Sequence, residues 1–98
     1  MNNSDKSYIP VDLFCETCGV EISFVRELSD YGLCEVIIVE EKSYILPDQV
    51  AELERLSRLH YDMEINLEGL QAIVHLQEKI KALKEEVDML NRKLNRHQ

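Results

Sequence analysis

The chain has 98 residues, with 19 acidic and 11 basic side chains, a formal net charge of −8, 45% hydrophobic residues and no tryptophan. This length accommodates one domain with an extension. A chain this short buries a smaller share of its surface than a large domain does. We therefore expect it to use partner surface, and we do not expect a monomeric catalytic cleft.

The charge is unevenly distributed along the chain. Residues 1–50 hold three basic and ten acidic side chains, a net charge of −7, whereas residues 51–98 hold eight basic and nine acidic ones, a net charge of −1. Proteins that bind nucleic acid draw most of their affinity from Lys and Arg contacts to phosphates. The acidic half therefore favours a basic partner, and DNA binding is not expected.

The cellular compartment is predicted from the cysteines and from the absence of long apolar segments. The chain has three cysteines, and residues 1–7 are polar, without the apolar core of a signal peptide. The longest apolar run, residues 36–39, is far shorter than the ~20 residues of a membrane-spanning helix. We expect a cytoplasmic protein with reduced thiols, no membrane contact and a disordered N-terminus over residues 1–7.

Two short helices separated by a turn are predicted near the N-terminus. Apolar residues at helical spacing run from Val11 to Cys18 and stop at Gly19, and the pattern resumes over residues 21–31. Gly32 follows, and a glycine there can take the left-handed conformation that ends a helix. The arrangement indicates a helix-turn-helix.

A small β-hairpin and a third helix are predicted next. The β-branched run of residues 36–39, the charged tip of residues 40–42 and residues 43–45 form the hairpin. Pro47 suits the first turn of a helix, which should extend over about residues 48–61. Its inward-facing residues should be Val50, Leu53, Leu56 and Leu59.

A long dimerisation helix is predicted over residues 66–98. Asn66 is a suitable N-cap, and neither Pro nor Gly occurs from Leu70 onward. Alternating steps of three and four connect the apolar residues Ile73, Leu76, Ile80, Leu83, Val87, Leu90 and Leu94. This spacing is typical of a coiled coil, so a homodimer is expected. The charges of Lys79 and Glu86 mildly favour an antiparallel pair.

The order of elements resembles that of MerR-type winged-helix regulators. Supporting motifs are YIPVDL at residues 8–13, CGV at 18–20, VR at 25–26 and YGL at 31–33. A closer likeness is to the CbpM family of small MerR-like chaperone modulators. It lies in RLHYDM at residues 58–63, in INLEGL at residues 65–70 and in a last helix without an effector domain. The resemblance implies a mainly α fold, in which residues 8–65 form a winged helix-turn-helix with a small hairpin wing.

The same resemblance implies a function. Proteins of the CbpM family bind the J domain of a DnaJ/CbpA-type co-chaperone and limit its stimulation of Hsp70, which is not catalysis. The alternative is a MerR-type DNA-binding transcriptional regulator. Where such regulators usually place Arg and Tyr on the second helix, this chain has Ser23, Glu27 and Leu28, with Arg26 as the one remaining base. A third possibility is a dimeric adaptor for another basic protein.

Candidate sites follow from these interpretations. The acidic residues of the second helix, Glu21, Glu27 and Asp30, are the candidate partner contact. Cys15 and Cys18 have C-x-x-C spacing but fall inside a predicted helix, so they are interpreted as small, partly buried residues. His60 and His75 lack catalytic neighbours and are expected at the surface or at an interface. No metal, cofactor or enzymatic activity is predicted.

Overall fold

The computed structural model describes residues 8–96; the predicted disorder of residues 1–7 lies outside the described residues. The elements are strand β1 (Ile9–Pro10), helices α1 (Val11–Cys18) and α2 (Ile22–Asp30), strands β2 (Ile37–Val39) and β3 (Lys42–Ile45), a 3₁₀ turn (Pro47–Gln49), and helices α3 (Val50–Tyr61) and α4 (Leu67–Arg96). The predicted fold class is confirmed: a mainly α chain with a helix-turn-helix, a small wing and a long C-terminal helix.

Two glycines end the first two helices, as predicted. Gly19 follows α1 with φ of 71°, and its backbone N–H donates to the carbonyl of Cys15. Gly32 follows α2 with φ of 75°, and the next residue, Leu33, donates its N–H to the Leu28 carbonyl at 2.8 Å. A left-handed glycine in this position satisfies the last carbonyls of a helix and reverses the chain.

The wing belongs to a three-stranded antiparallel sheet, one strand more than predicted. The strand order is β1-β3-β2, and Ile9 of β1 pairs with Ile45 of β3. A two-residue strand is too short to leave an alternation in the sequence, so β1 escaped prediction. The β2–β3 turn consists of Glu40 and Glu41, with φ of 50° and 68°. This left-handed conformation is uncommon for residues with a side chain.

One hydrophobic core joins the helices to the sheet. Its fully buried side chains come from α2, β3, α3 and the start of α4 and include Leu28, Ile45, Leu53, Leu56 and Leu70. The predicted inward residues Leu53 and Leu56 are confirmed, whereas Val50 and Leu59 are half-buried and pack against the core. Because Leu70 is 0% exposed, the first turns of α4 complete the winged domain.

The start of α4 is held by local contacts. Asn66 is the N-cap, as predicted, because its Oδ1 accepts the N–H of Gly69 at 2.8 Å. A Cβ on Gly69 would lie 2.7 Å from the Ile65 side chain, so only glycine fits there without a shift.

His60, expected at the surface or at an interface, is instead half-buried. Its ring stacks on Phe24 at 4.5 Å, and its Nδ1 donates to the Ile65 carbonyl at 2.8 Å.

Candidate protein-interaction surfaces

The winged domain carries a strong net negative charge. Residues 8–65 contain thirteen acidic and four basic side chains, hence a formal net charge of −9. One of the bases, Arg55, already pairs with Glu52 on the same helix at 2.7 Å. A phosphate backbone would be repelled by such a domain, whereas a basic protein surface would be attracted.

Acidic side chains are exposed on both α2 and the wing turn. Helix α2 exposes Arg26 together with Glu27 and Asp30. The wing turn exposes Glu40 and Glu41. Direct readout of DNA requires forked donors for guanine edges and basic groups for phosphates. The exposed chemistry of these elements therefore suits a protein partner better than DNA.

The three predicted partner-contact residues are all exposed, but they do not share one side of α2. Glu21 directly precedes the helix, and its backbone N–H donates to the Tyr61 hydroxyl at 3.2 Å. At about 100° per residue, Glu27 and Asp30 lie about 60° apart around the axis. Glu21 lies on the side opposite Asp30 by the same geometry. Glu27 and Asp30 therefore form one patch, to which Glu21 does not belong.

A polar contact that the sequence did not predict connects the end of α2 to α4. The Tyr31 hydroxyl donates to a Glu68 carboxylate oxygen at 2.8 Å, and the Gln71 amide donates to the Tyr31 carbonyl at 3.1 Å. The Tyr31 hydrogen bond lowers the pKa of Glu68. The same bond, with the charges of Glu68 and Glu27, raises the pKa of Tyr31. Because Tyr31 and Glu68 are 37 positions apart, no local pattern indicates the pair.

The predicted coiled-coil residues form an exposed apolar strip along α4. Ile73 is half-buried beside the core, whereas the other six are 51–59% exposed. These six are Leu76, Ile80, Leu83, Val87, Leu90 and Leu94. We call them the α4 strip. A contiguous exposed apolar surface of this kind marks an interaction site. None of the helices among residues 8–96 is long and apolar enough to cross a membrane.

The cysteines are free thiols. Cys15 is buried and Cys18 half-buried on α1, which confirms the prediction for this pair. Burial raises the pKa of the Cys34 thiol to about 11, and its Sγ lies 3.8 Å from the Val25 carbonyl oxygen. Within the described part of the chain, no group of three or more His, Cys, Asp or Glu side chains could hold a metal ion.

Comparisons with known proteins identify relatives of the whole winged domain and most of α4. The family model described as "MerR HTH family regulatory protein" matches residues 9–92. The chain is 26% identical over 83 residues to a protein of Pseudomonas entomophila (strain L48) named "Chaperone modulatory protein CbpM". That match covers 84% of this chain and 82% of the relative. Proteins of the same name from Pseudomonas putida strains W619 and GB-1 are 25% and 26% identical, with the same coverage. No solved structure matches the chain.

Proposed function

We propose that this chain, which belongs to the MerR HTH family of regulatory proteins, is a non-catalytic chaperone modulator that acts in the cytoplasm. It binds the J domain of a DnaJ/CbpA-type co-chaperone and limits its stimulation of Hsp70. The name shared by its relatives, "Chaperone modulatory protein CbpM", supports the modulator role. The match extends over 84% of this chain and 82% of the relative.

The single observation that carries the choice of a protein partner is the charge of the winged domain. A net charge of −9 over residues 8–65 attracts a basic protein surface and accelerates its association. The resemblance to the CbpM family implies a J domain as that surface, because J domains present a basic helix to Hsp70. An acidic protein that covers this helix competes with Hsp70 for it.

The partner contact that we propose includes Glu21, Glu27 and Asp30, and Glu27 and Asp30 offer the sharper test because they form one patch. Reversing both, as Glu27→Lys with Asp30→Lys, leaves the buried residues of α2 unchanged. The matched control is Glu85→Lys with Asp88→Lys, an exposed pair on α4 with the same spacing and the same change in net charge.

The assay is titration calorimetry with the full-length DnaJ-like co-chaperone of the same organism and with a version that lacks its J domain. We expect the wild-type chain to bind only the first. The α2 pair should weaken binding about tenfold or more, and the α4 pair should have little effect. If both pairs of substitutions weakened binding equally, α2 would not be part of the partner contact. No binding by the wild-type chain would refute the chaperone function and favour an adaptor for another basic protein.

We also propose that the chain forms a homodimer through the α4 strip. Support comes from the heptad spacing and from the exposure of all six side chains of the strip. Pairing would cover an apolar surface that water otherwise contacts.

A DNA-binding transcriptional regulator is the second candidate, because the matched family is described as one of HTH regulatory proteins. The acidic residues of α2 and of the wing turn argue against it. A gel shift at low salt is the most permissive assay, because phosphate contacts are strongest there. Sequence-specific binding that persists at physiological salt would favour the regulator over the chaperone modulator.

A further inference from the structure

The wing and α2 form the two walls of an open groove of about 700 Å³, which we call the α2–wing groove. On one wall, α2 contributes Ile22, Val25 and Ser29, which recur at the spacing of a single helix face. On the other wall, the hairpin contributes Val36 and Ile38. Isoleucine and valine therefore occur on both walls, among polar and charged lining residues.

The strand register of the wing explains why Ile38 is exposed to solvent on the wall of the groove that the hairpin forms. Ile38 is paired with Ser43, which lies two residues before Ile45 on β3. Residues two apart on a strand face the same side of a sheet, as do directly paired residues, so Ile38 faces the same side as Ile45. Ile45 is 0% exposed because the helices cover it, whereas Ile38 is 70% exposed. The hairpin thus extends beyond the helical layer and leaves an inward-facing isoleucine open to solvent.

The wall formed by α2 is open in the same way. Ile22, at the start of the helix, is 46% exposed although it lines the groove beside the fully buried Val25. Two large aliphatic side chains on opposite walls therefore remain in water. Covering both would stabilise a complex by the hydrophobic effect.

The chemistry of the groove selects the kind of occupant. Its charged lining residues are the carboxylates Asp12, Asp30 and Glu41 and the two bases Arg26 and Lys42, on a domain of net charge −9. Among residues 8–96, no buried side-chain nitrogen or oxygen lacks a hydrogen-bond partner. A small polar ligand would therefore find no unpaired buried side chain to orient it. A groove with aliphatic side chains on both walls, in a domain of net charge −9, fits an amphipathic helix whose apolar stripe is flanked by Lys or Arg.

We propose that the α2–wing groove binds the apolar face of a basic amphipathic helix of the protein partner, and this assignment rests on the proposed function, under which the helix belongs to the J domain. Ile22 and Ile38 are the apolar anchors of the complex. Asp30 and Glu41 contact the basic flanks of the bound helix. The site extends the acidic patch of α2, because Asp30 belongs to both.

The test substitutes one anchor on each wall, as Ile22→Ser and Ile38→Ser, without any change of charge. Val39→Ser is the matched control, because Val39 neighbours Ile38 on the same strand, is 43% exposed and does not line the groove. Binding to the full-length DnaJ-like co-chaperone is measured by titration calorimetry. Urea unfolding of the three variants verifies that each remains folded, as the exposure of the substituted side chains predicts.

Each anchor variant should bind about tenfold more weakly than the wild-type chain, while Val39→Ser should bind within about twofold of it. Binding by all three at the wild-type level would overturn the groove assignment and leave the proposed function intact. Failure of the wild-type chain to bind would overturn the proposed function itself. If the anchor variants changed the sedimentation of the chain alone, the groove would be occupied by a second copy of this chain, and the assignment would be wrong.

Discussion

Substitution of Leu83 should test the proposed homodimer most directly. Leu83 occupies the middle of the α4 strip and is 59% exposed in the isolated chain. Leu83→Ala removes most of its apolar surface. Alanine also has the highest helix propensity, so the substitution does not weaken the helix itself. Any loss should therefore appear in the association of two chains and not in their folding.

The magnitude follows from the exposed part of the side chain. Full burial of a leucine side chain contributes about 1.5–3 kcal/mol, so covering the exposed fraction of Leu83, 59%, contributes about 1–2 kcal/mol per chain. Symmetry doubles the effect, to about 2–4 kcal/mol per dimer. Because alanine retains a methyl group, we expect the lower part of this range. At 1.4 kcal/mol per tenfold change, the dissociation constant should rise about 30- to 100-fold.

Sedimentation equilibrium over a range of concentrations measures the dissociation constant, and Met89→Ala is the matched control. Met89 is 47% exposed on the same helix but lies about 100° around the axis from Leu90, outside the strip. Its substitution should change the dissociation constant less than about twofold. A wild-type chain that remains monomeric at ~100 μM would refute dimerisation through the α4 strip. Equal effects of the two substitutions would place the dimer contact elsewhere.

Three further predictions concern the winged domain. Tyr31→Phe removes the hydrogen bond that lowers the pKa of Glu68, so an NMR titration should show this pKa rising toward 4.5. In the wild-type chain, the lowered pKa of Glu68 stabilises the fold above the unfolded-state pKa, and this stabilisation is lost as the pH falls through the folded-state pKa. Tyr31→Phe should make this stabilisation smaller. Cys34, with its pKa raised from 9.0 to about 11, should react with iodoacetamide at pH 9.5 about 25-fold more slowly than a thiol of unshifted pKa, because its thiolate fraction is lower by that factor. Because the folded state holds the Cys34 proton more tightly than the unfolded state does, the raised pKa stabilises the fold. This stabilisation should be complete below pH 9 and lost as the pH rises toward 11. Replacing Glu40–Glu41 by Asn–Gly should raise the free energy of unfolding in urea by about 1–2 kcal/mol, because Asn–Gly favours the left-handed turn.

The features that the sequence predicted are those that depend on neighbouring residues. Gly19 and Gly32 mark helix ends because few other residues adopt a positive φ. Leu53 and Leu56 are buried because their spacing places them on one face of a helix. Asn66 caps α4 through a bond to the N–H three residues later. In each case the physical cause acts within about one turn of the chain.

The features that escaped prediction depend on residues far apart in the chain. The Tyr31–Glu68 bond requires the end of α2 and the start of α4 to meet, and nothing in either segment indicates its partner. His60 was expected at the surface or at an interface. Its stacking on Phe24 depends on tertiary packing, which the local sequence does not indicate. The α2–wing groove depends on how far the hairpin extends past the helices. Only the strand register and the exposure of Ile38 together reveal it.

Fold and partner are specified by different residues of the same elements. Leu28 on α2 and Ile45 on β3 are buried and build the winged fold without reference to any ligand. The exposed residues of those elements, among them Asp30 and Ile38, determine what the surface attracts. Membership of a family of HTH regulatory proteins therefore accounts for the buried set, but it does not select DNA as the ligand. Carboxylates and uncovered aliphatic side chains on α2 and the wing favour a basic, partly apolar protein surface instead.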